Sequence, residues 1–503
     1  MHTDNGRPPS ALPLAIGFGV LFVLLLANEV MSYHAPPRLA TAAVLGISTA
    51  LVITALVHVR TALIVFVVWL VLSDDISRYT QTDLDGGLVS VLTLSIGGVA
   101  LINPLALVLV ALAVFAAVVR WSRTPARFSL LLPDVAVAAI VVLYLVATLM
   151  GLEWVLDNPR GALNSWNLPL MTAGLYTAFR VTPWPGRSLE IFWTAVLLAV
   201  GAKAFLWTLY FFLGIGVPFG GIVRVGFESG RVLFILLIAA ACAAWVLREP
   251  EHLGARVLLA ALALFAGFNV FVHAGRMEWL FAGLAIVLVW LFSPAQGKLR
   301  VALGVTAIGL AGFALIASYN PAVLSTLAYF ASTLVFWDPE LVTASRSTMV
   351  RVYEFANIRA ELEEAGRMAI GFGPGGTFTD RHHPFPFPLT VDDFSLEERM
   401  SRQFQGAHGL LQNTLLVLGL AGTALYLIAL AALYALAAAA YRHLPSNTER
   451  VIALALVGFL PAMMYLTWSA KSNMLFGILL GVLGVLVSRC STQTDEQFPR
   501  AAG

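Results

Sequence analysis

Apolar runs of about twenty residues recur along almost the whole chain, and each matches the helical length needed to cross the ~30 Å hydrocarbon core of a bilayer. PLAIGFGVLFVLLLANEV near the start and LLQNTLLVLGLAGTALYLIALAALYALAAAA near the end are two of them. Lipid offers the backbone no hydrogen-bonding partner, so such a chain must cross as helices or as a closed barrel. Strand-like alternation is absent, which disfavours a barrel. Of 503 residues, 12% are charged and 59% hydrophobic, with mean hydropathy +0.86. A water-facing surface usually needs about a quarter charged residues. The expected fold is all-α, a polytopic transmembrane helical bundle.

Candidate spans fall at 12–30, 39–57, 61–73, 98–119, 131–151, 166–182 and 189–213. Others follow at 230–247, 256–273, 277–292, 299–318, 409–440, 451–468 and 473–488. The 61–73 run is short and 166–182 weakly apolar, so the expected count is about 12–14 spans. The first run is longer than a signal-peptide core and no small-residue cleavage site follows it, which predicts a retained helix. Alternate loops carry Arg60, Arg120, Arg180, Arg187, Arg248, Arg256, Lys298, Arg300, Arg442, Arg450 and Arg489. Positive-inside placement makes that side cytoplasmic and puts both termini there.

The organisation expected is helices with short loops over 1–318, one large external loop over 319–408, and the last helices with a short tail over 409–503. A loop of that length far exceeds the usual helix–helix connection of about 2–8 residues. It is acidic, with eleven carboxylates against seven arginines. Within it, SRSTMVRVYEFANIRAELEEAGRMA predicts a helix whose Met349, Val352, Phe355, Ile358 and Leu362 share a face.

A net charge of +2 makes no case for nucleic-acid binding. Cys242 and Cys490 suggest neither a disulfide nor a metal site. The adjacent His382 and His383 diverge and lack a carboxylate at ligand spacing, so no zinc is expected. GFGPGGTF over 371–378 echoes a phosphate loop, yet no strand precedes it and no lysine follows it. Its glycines permit a tight turn and close backbone approach to a substrate. The following RHHPFPFPLTVDDFS is proline-rich and aromatic, as a lid or sugar-facing surface is, or as a loop packed on the bundle is.

Four external features could carry chemistry. Arg224 and Arg231 precede or open one span, and His273, Arg276 and Glu278 fill a tight turn between two others. Arg346 and Arg351 lie on the loop helix ahead of Gly371 and Gly373, and His408 stands at the mouth of a span. Arginine at a membrane face is costly unless paired, and its forked donors suit phosphate oxygens. Snorkelling or pairing with lipid phosphate is the plainer reading for Arg231, which neighbours Glu228, whereas the turn at Arg276 leaves little length for it. A neutral histidine at the position of His408 could accept a proton from a hydroxyl, or simply cap the helix.

Together these segments resemble the O-antigen ligase/polymerase family of bacterial membrane glycosyltransferases. The resemblance rests on His408, Leu411, Leu415, Gly419, Leu420 and Gly422, and on SRSTMVRVYEF followed by GFGPGGTF. HAGRMEWLF and RVGFESGRVLF complete it, and it covers roughly 215–490. The chain departs at Gly409, where asparagine is common, and at Val417, where an acidic residue is frequent. The resemblance implies a GT-C-like fold in the bacterial inner membrane, with a periplasmic site that needs neither metal nor cofactor. The donor would be a glycan on undecaprenyl pyrophosphate, and the acceptor a hydroxyl of lipid A-core or of another glycan. His408 would activate the acceptor, while Arg224 and Arg276 would hold the pyrophosphate. Arg346, Arg351, Arg231, Gly371, Gly373 and Gln412 would contact substrate. Ligase and polymerase share this machinery. A transporter would instead show paired broken helices and mid-depth charge, and a sensor would not need arginines drawn from three segments.

Overall fold

The apolar runs fold as helices wherever the computed structural model describes them. It describes residues 11–34, 37–72, 131–215, 217–219, 222–224, 228–249, 253–272, 276–319, 346–390, 393–444, 446–465 and 470–497. The expected span at 98–119, the loop up to residue 345 and the His273 turn lie outside them.

Two helices open the chain, α1 (Ala11–His34) and α2 (Pro37–Leu72). α3 (Leu132–Met150) is followed by two short helices, α4 (Leu152–Asp157) and α5 (Pro159–Ser165). Next come α6 (Asn167–Val181) and α7 (Ser188–Phe212), then a hairpin of β1 (Val217–Phe219) and β2 (Ile222–Arg224). α8 (Glu228–Leu247), α9 (Leu253–Val272), α10 (Arg276–Phe292) and α11 (Ala295–Tyr319) continue the bundle. The long loop contributes α12 (Arg346–Glu364) and α13 (Leu396–Ser401), with β3 (Phe378–Thr379) paired to β4 (Gln403–Phe404). α14 (Leu410–His443), α15 (Asn447–Tyr465) and α16 (Ala470–Gln497) complete it.

Among the described residues, six helices are long and apolar enough to cross a membrane, and three shorter apolar helices accompany them. The chain is a multi-pass α-helical membrane protein. Its outward faces are apolar, with Val57, Leu149 and Leu213 each about two-thirds exposed (68%, 67% and 69%). Such a surface suits lipid as the solvent. α16 and α7 lie centrally, with 78% and 72% of their apolar stretches buried against 33% for α3. The tightest packing sets α16 against α6. A Cβ on Gly477 would lie 2.6 Å from the Thr172 carbonyl oxygen, and one on Gly481 would lie 2.4 Å from the Phe179 Cβ. Small residues let membrane helices approach this closely, where no hydrophobic force between them can be drawn from lipid.

Residues 37–72 form two helical stretches that meet at a kink, where His58 leaves helical geometry (φ −142°, ψ 79°). The kink falls at the boundary expected between the 39–57 and 61–73 runs, with Arg60 just past it. VHVRTAL has no glycine or proline to form a tight turn there.

The two ends of the bundle differ in charge. Asp134 pairs with Arg180, Thr448 donates to Glu249, and Arg489 pairs with Glu449 and donates to the Trp184 carbonyl. These contacts gather the α6 C-terminus, the α8 C-terminus and the α15 N-terminus at one basic end. Alternation along the chain then places the β1–β2 hairpin and the N-termini of α8, α10 and α14 at the other, with the long loop.

Candidate active site

The long loop has a hydrophobic core of its own, and that core positions the site. Val350, Ile358 and Leu362 of α12 pack with Phe372, Phe378, Phe385, Phe394 and Phe404, and with Leu415 and Leu416 of α14. The buried face of α12 is not the one its apolar residues predict. Ile358 and Leu362 are buried, whereas Val352 and Phe355 are 52% and 45% exposed. In their place Glu354 and Asn357 are fully buried at 0% exposure. Burying polar side chains is costly unless each is hydrogen-bonded, and both are. The Asn357 amide donates to the His383 carbonyl at 2.8 Å and accepts from the His383 amide at 2.8 Å.

Glu354 faces His408. The His408 Nδ1 lies 2.5 Å from Glu354 Oε1, and the His408 backbone N–H donates to Oε2 at 3.1 Å. The carboxylate thus fixes both the ring and the backbone at the entrance to α14, with the proton between them belonging on Nδ1. The ring also hydrogen-bonds the Asp393 backbone. Phe394 packs edge-on against the imidazole, with centroids 5.0 Å apart. Burial pushes the imidazole pKa down, but the hydrogen bond and charge of Glu354 outweigh it. Aided by the Asp393 backbone and opposed by the Arg351 charge, they hold His408 above the usual histidine range.

The arginines take unequal parts. Arg351 lies one helical turn before Glu354, and its Nε is buried with no hydrogen-bonding partner among the described residues. Its charge reaches His408. Arg346 is engaged within the loop. It donates to Asp393 Oδ2 at 2.5 Å and to the Pro388 carbonyl at 2.5 Å, and stacks over Phe387 at 5.0 Å. Burial would raise the Asp393 carboxyl, yet the hydrogen bonds from Arg346 and Thr390 hold it below the usual carboxylate range. Arg346 therefore braces the segment carrying Phe394, which in turn packs on His408.

Arg224 ends the β1–β2 hairpin, opposite Val217 in register, and Arg276 opens α10. Arg231 lies in the first turn of α8. Their backbones share the His408 end of the bundle, and their side chains are outside the description. Glu278, beside Arg276 in sequence, is buried.

The glycines approach protein backbone. Gly371, Gly373 and Gly375 have φ of +72°, +84° and +90°. A Cβ on Gly373 would lie 2.7 Å from the Ala147 carbonyl oxygen of α3. That is an approach to the bundle, where the sequence suggested approach to a substrate. Gln412 folds back over Gly409, the N-cap of α14, where a Cβ would lie 1.9 Å from the Gln412 Oε1. An asparagine at 409 would require Gln412 to move. His382 Nε2 meets Glu364 at 3.0 Å.

Glu354 is the residue that sequence reasoning missed. Its signal was present: Val350, Glu354, Asn357, Ile358 and Glu361 recur at i, i+4, i+7, i+8 and i+11, one face of a helix. Three of those five residues are polar, so an apolar-periodicity reading passed over them.

No model of a protein family matches the chain, and no curated protein matches it. Fold and geometry alone set its class, a multi-pass helical membrane protein whose long loop holds a buried carboxylate against a histidine just ahead of an apolar helix.

Proposed function

We propose that the chain is a membrane glycosyltransferase, transferring a glycan from undecaprenyl pyrophosphate to an acceptor hydroxyl at the periplasmic face of a bacterial inner membrane. The Glu354–His408 pair carries this reading. A carboxylate on Nδ1 fixes the tautomer in which Nε2 can accept a proton, and it stabilises the imidazolium that forms. The acceptor oxygen would attack the anomeric carbon as its proton passes to Nε2. The bond from that carbon to the phosphate oxygen breaks, and undecaprenyl pyrophosphate leaves with the electron pair. Arg351, near His408 and with an unused donor, suits the developing negative charge, as would Arg224 and Arg276 from the same end of the bundle. Ligation to lipid A-core and joining of repeat units use identical steps, so the acceptor distinguishes them.

The test is purified protein in lipid with an undecaprenyl-pyrophosphate-linked glycan and, separately, lipid A-core or a second lipid-linked glycan. Glycan appearing on either acceptor, with stoichiometric release of undecaprenyl pyrophosphate, is the expected result. Absence of transfer to both, from protein that stays folded, would overturn the proposal.

A further inference from the structure

α14 is interrupted where a membrane helix can least leave its backbone open. At Gly419 the backbone turns to φ +66° and ψ −174°. The carbonyls of Leu416 and Val417 thereby lose the amides of Leu420 and Ala421, their partners four residues on in a continuous helix. The long loop takes up all four groups. Phe372 N–H donates to Leu416 O at 2.8 Å, and Gly373 N–H to Val417 O at 3.0 Å. Leu420 N–H donates to Met368 O at 2.8 Å, and Ala421 N–H to Ala369 O at 3.1 Å. Segment 368–373 thus stands in for the missing helical turn.

We infer that this exchange is a permanent clamp, and that the long loop stays bound to the bundle throughout the working cycle instead of lifting as a lid. Leu416 and Val417 are buried at 0% and 2% exposure, so water cannot replace the loop's amides without the helix opening. Four unpaired backbone groups in apolar surroundings would be left if the segment withdrew. Glycine on both sides makes the contact possible. A Cβ on Gly371 would lie 2.5 Å from Gly419 N, and one on Gly419 would lie 2.4 Å from Gly371 N. A second anchor holds the same segment to α3 and α4, where Arg367 donates to the Met150 carbonyl at 2.8 Å and pairs with Glu153. Leu415 and Leu416 belong to the loop's core, so the first turns of α14, and His408 ahead of them, are held at a fixed place relative to the remainder of that span. The clamp stands apart from the chemistry proposed for His408, because it can be measured without substrate.

Hydrogen exchange on the full chain in nanodiscs tests it. Peptides carrying the amides of Phe372 and Gly373, and of Leu420 and Ala421, should exchange about a thousandfold or more slowly than exposed amides. Exchange at the rate of unprotected amides would overturn the clamp. Gly419→Ala should accelerate both peptides together, by about tenfold or more, although they are far apart in sequence. Acceleration at 420–421 with none at 372–373 would equally overturn it. Should that variant not fold, Ala369→Cys with Ala421→Cys, in a background of Cys242→Ser and Cys490→Ser, gives a second reading. A clamp predicts complete disulfide formation with unchanged exchange elsewhere in the loop, and failure to cross-link would count against it. Where transfer activity is established, the cross-linked protein should keep the reduced protein's rate, and loss reversed by reductant would show that the loop must lift.

Discussion

His408 reaches Glu354 twice, through Nδ1 at 2.5 Å and through its backbone amide at 3.1 Å. Ring and main chain are therefore set by one buried carboxylate, and the first residues of α14 inherit that placement. The pairing also shifts the working form of the ring. With its pKa raised, His408 holds its proton to higher pH than an ordinary histidine.

The pH dependence of transfer follows from that shift. Only the neutral ring can accept a proton on Nε2, and the neutral fraction grows as pH rises through the raised pKa. The rate should climb with pH, with its midpoint above the ordinary histidine value of about 6.5. Glu354→Gln removes the charge that favours imidazolium and leaves burial to oppose it, so the midpoint should move down. A pH–rate profile of both proteins checks this, and an unmoved midpoint would detach Glu354 from the step.

Stability of the loop should show the same coupling. His408→Ala leaves the buried Glu354 with only the backbone amide of residue 408, a loss of about 3 kcal/mol for a broken buried pair. Adding Glu354→Gln removes the stranded charge and should recover part of that loss. Unfolding of the two single variants and the double variant in detergent gives the coupling energy, and strict additivity would contradict it.

Arg276→Lys tests the proposed pyrophosphate contact. A lysine keeps the charge but not the bidentate fork. Transfer should fall by roughly thirtyfold, about 2 kcal/mol for a lost charge-assisted hydrogen bond. A wild-type rate would assign Arg276 to the membrane interface instead.

Packing between α6 and α16 should tolerate no added volume. A Cβ on Gly481 would lie 2.4 Å from the Phe179 Cβ, so Gly481→Val should destabilise the bundle by about 2 kcal/mol. A control at Gly267, where nothing lies within 4 Å of the added Cβ, should change the midpoint of thermal unfolding far less.

The amino-acid sequence by itself determined that this chain lives in a bilayer and crosses it as helices, because apolar runs of that length have no other stable solution. It also placed one long loop between 319 and 408 and marked His408 at the loop's exit. It put a break between 57 and 61 as well, where the backbone kinks at His58. Tertiary structure decided the rest. Helical periodicity in apolar residues put Val352 and Phe355 inside, whereas the buried face is set by what α12 meets, and it meets His408 and the His383 backbone. A buried carboxylate is stable only when its partner is already in place, and that partner lies 54 residues further along. The break at Gly419 is hidden for the same reason. A glycine in an apolar run reads as packing until a distant segment supplies the four hydrogen bonds that let the helix open there.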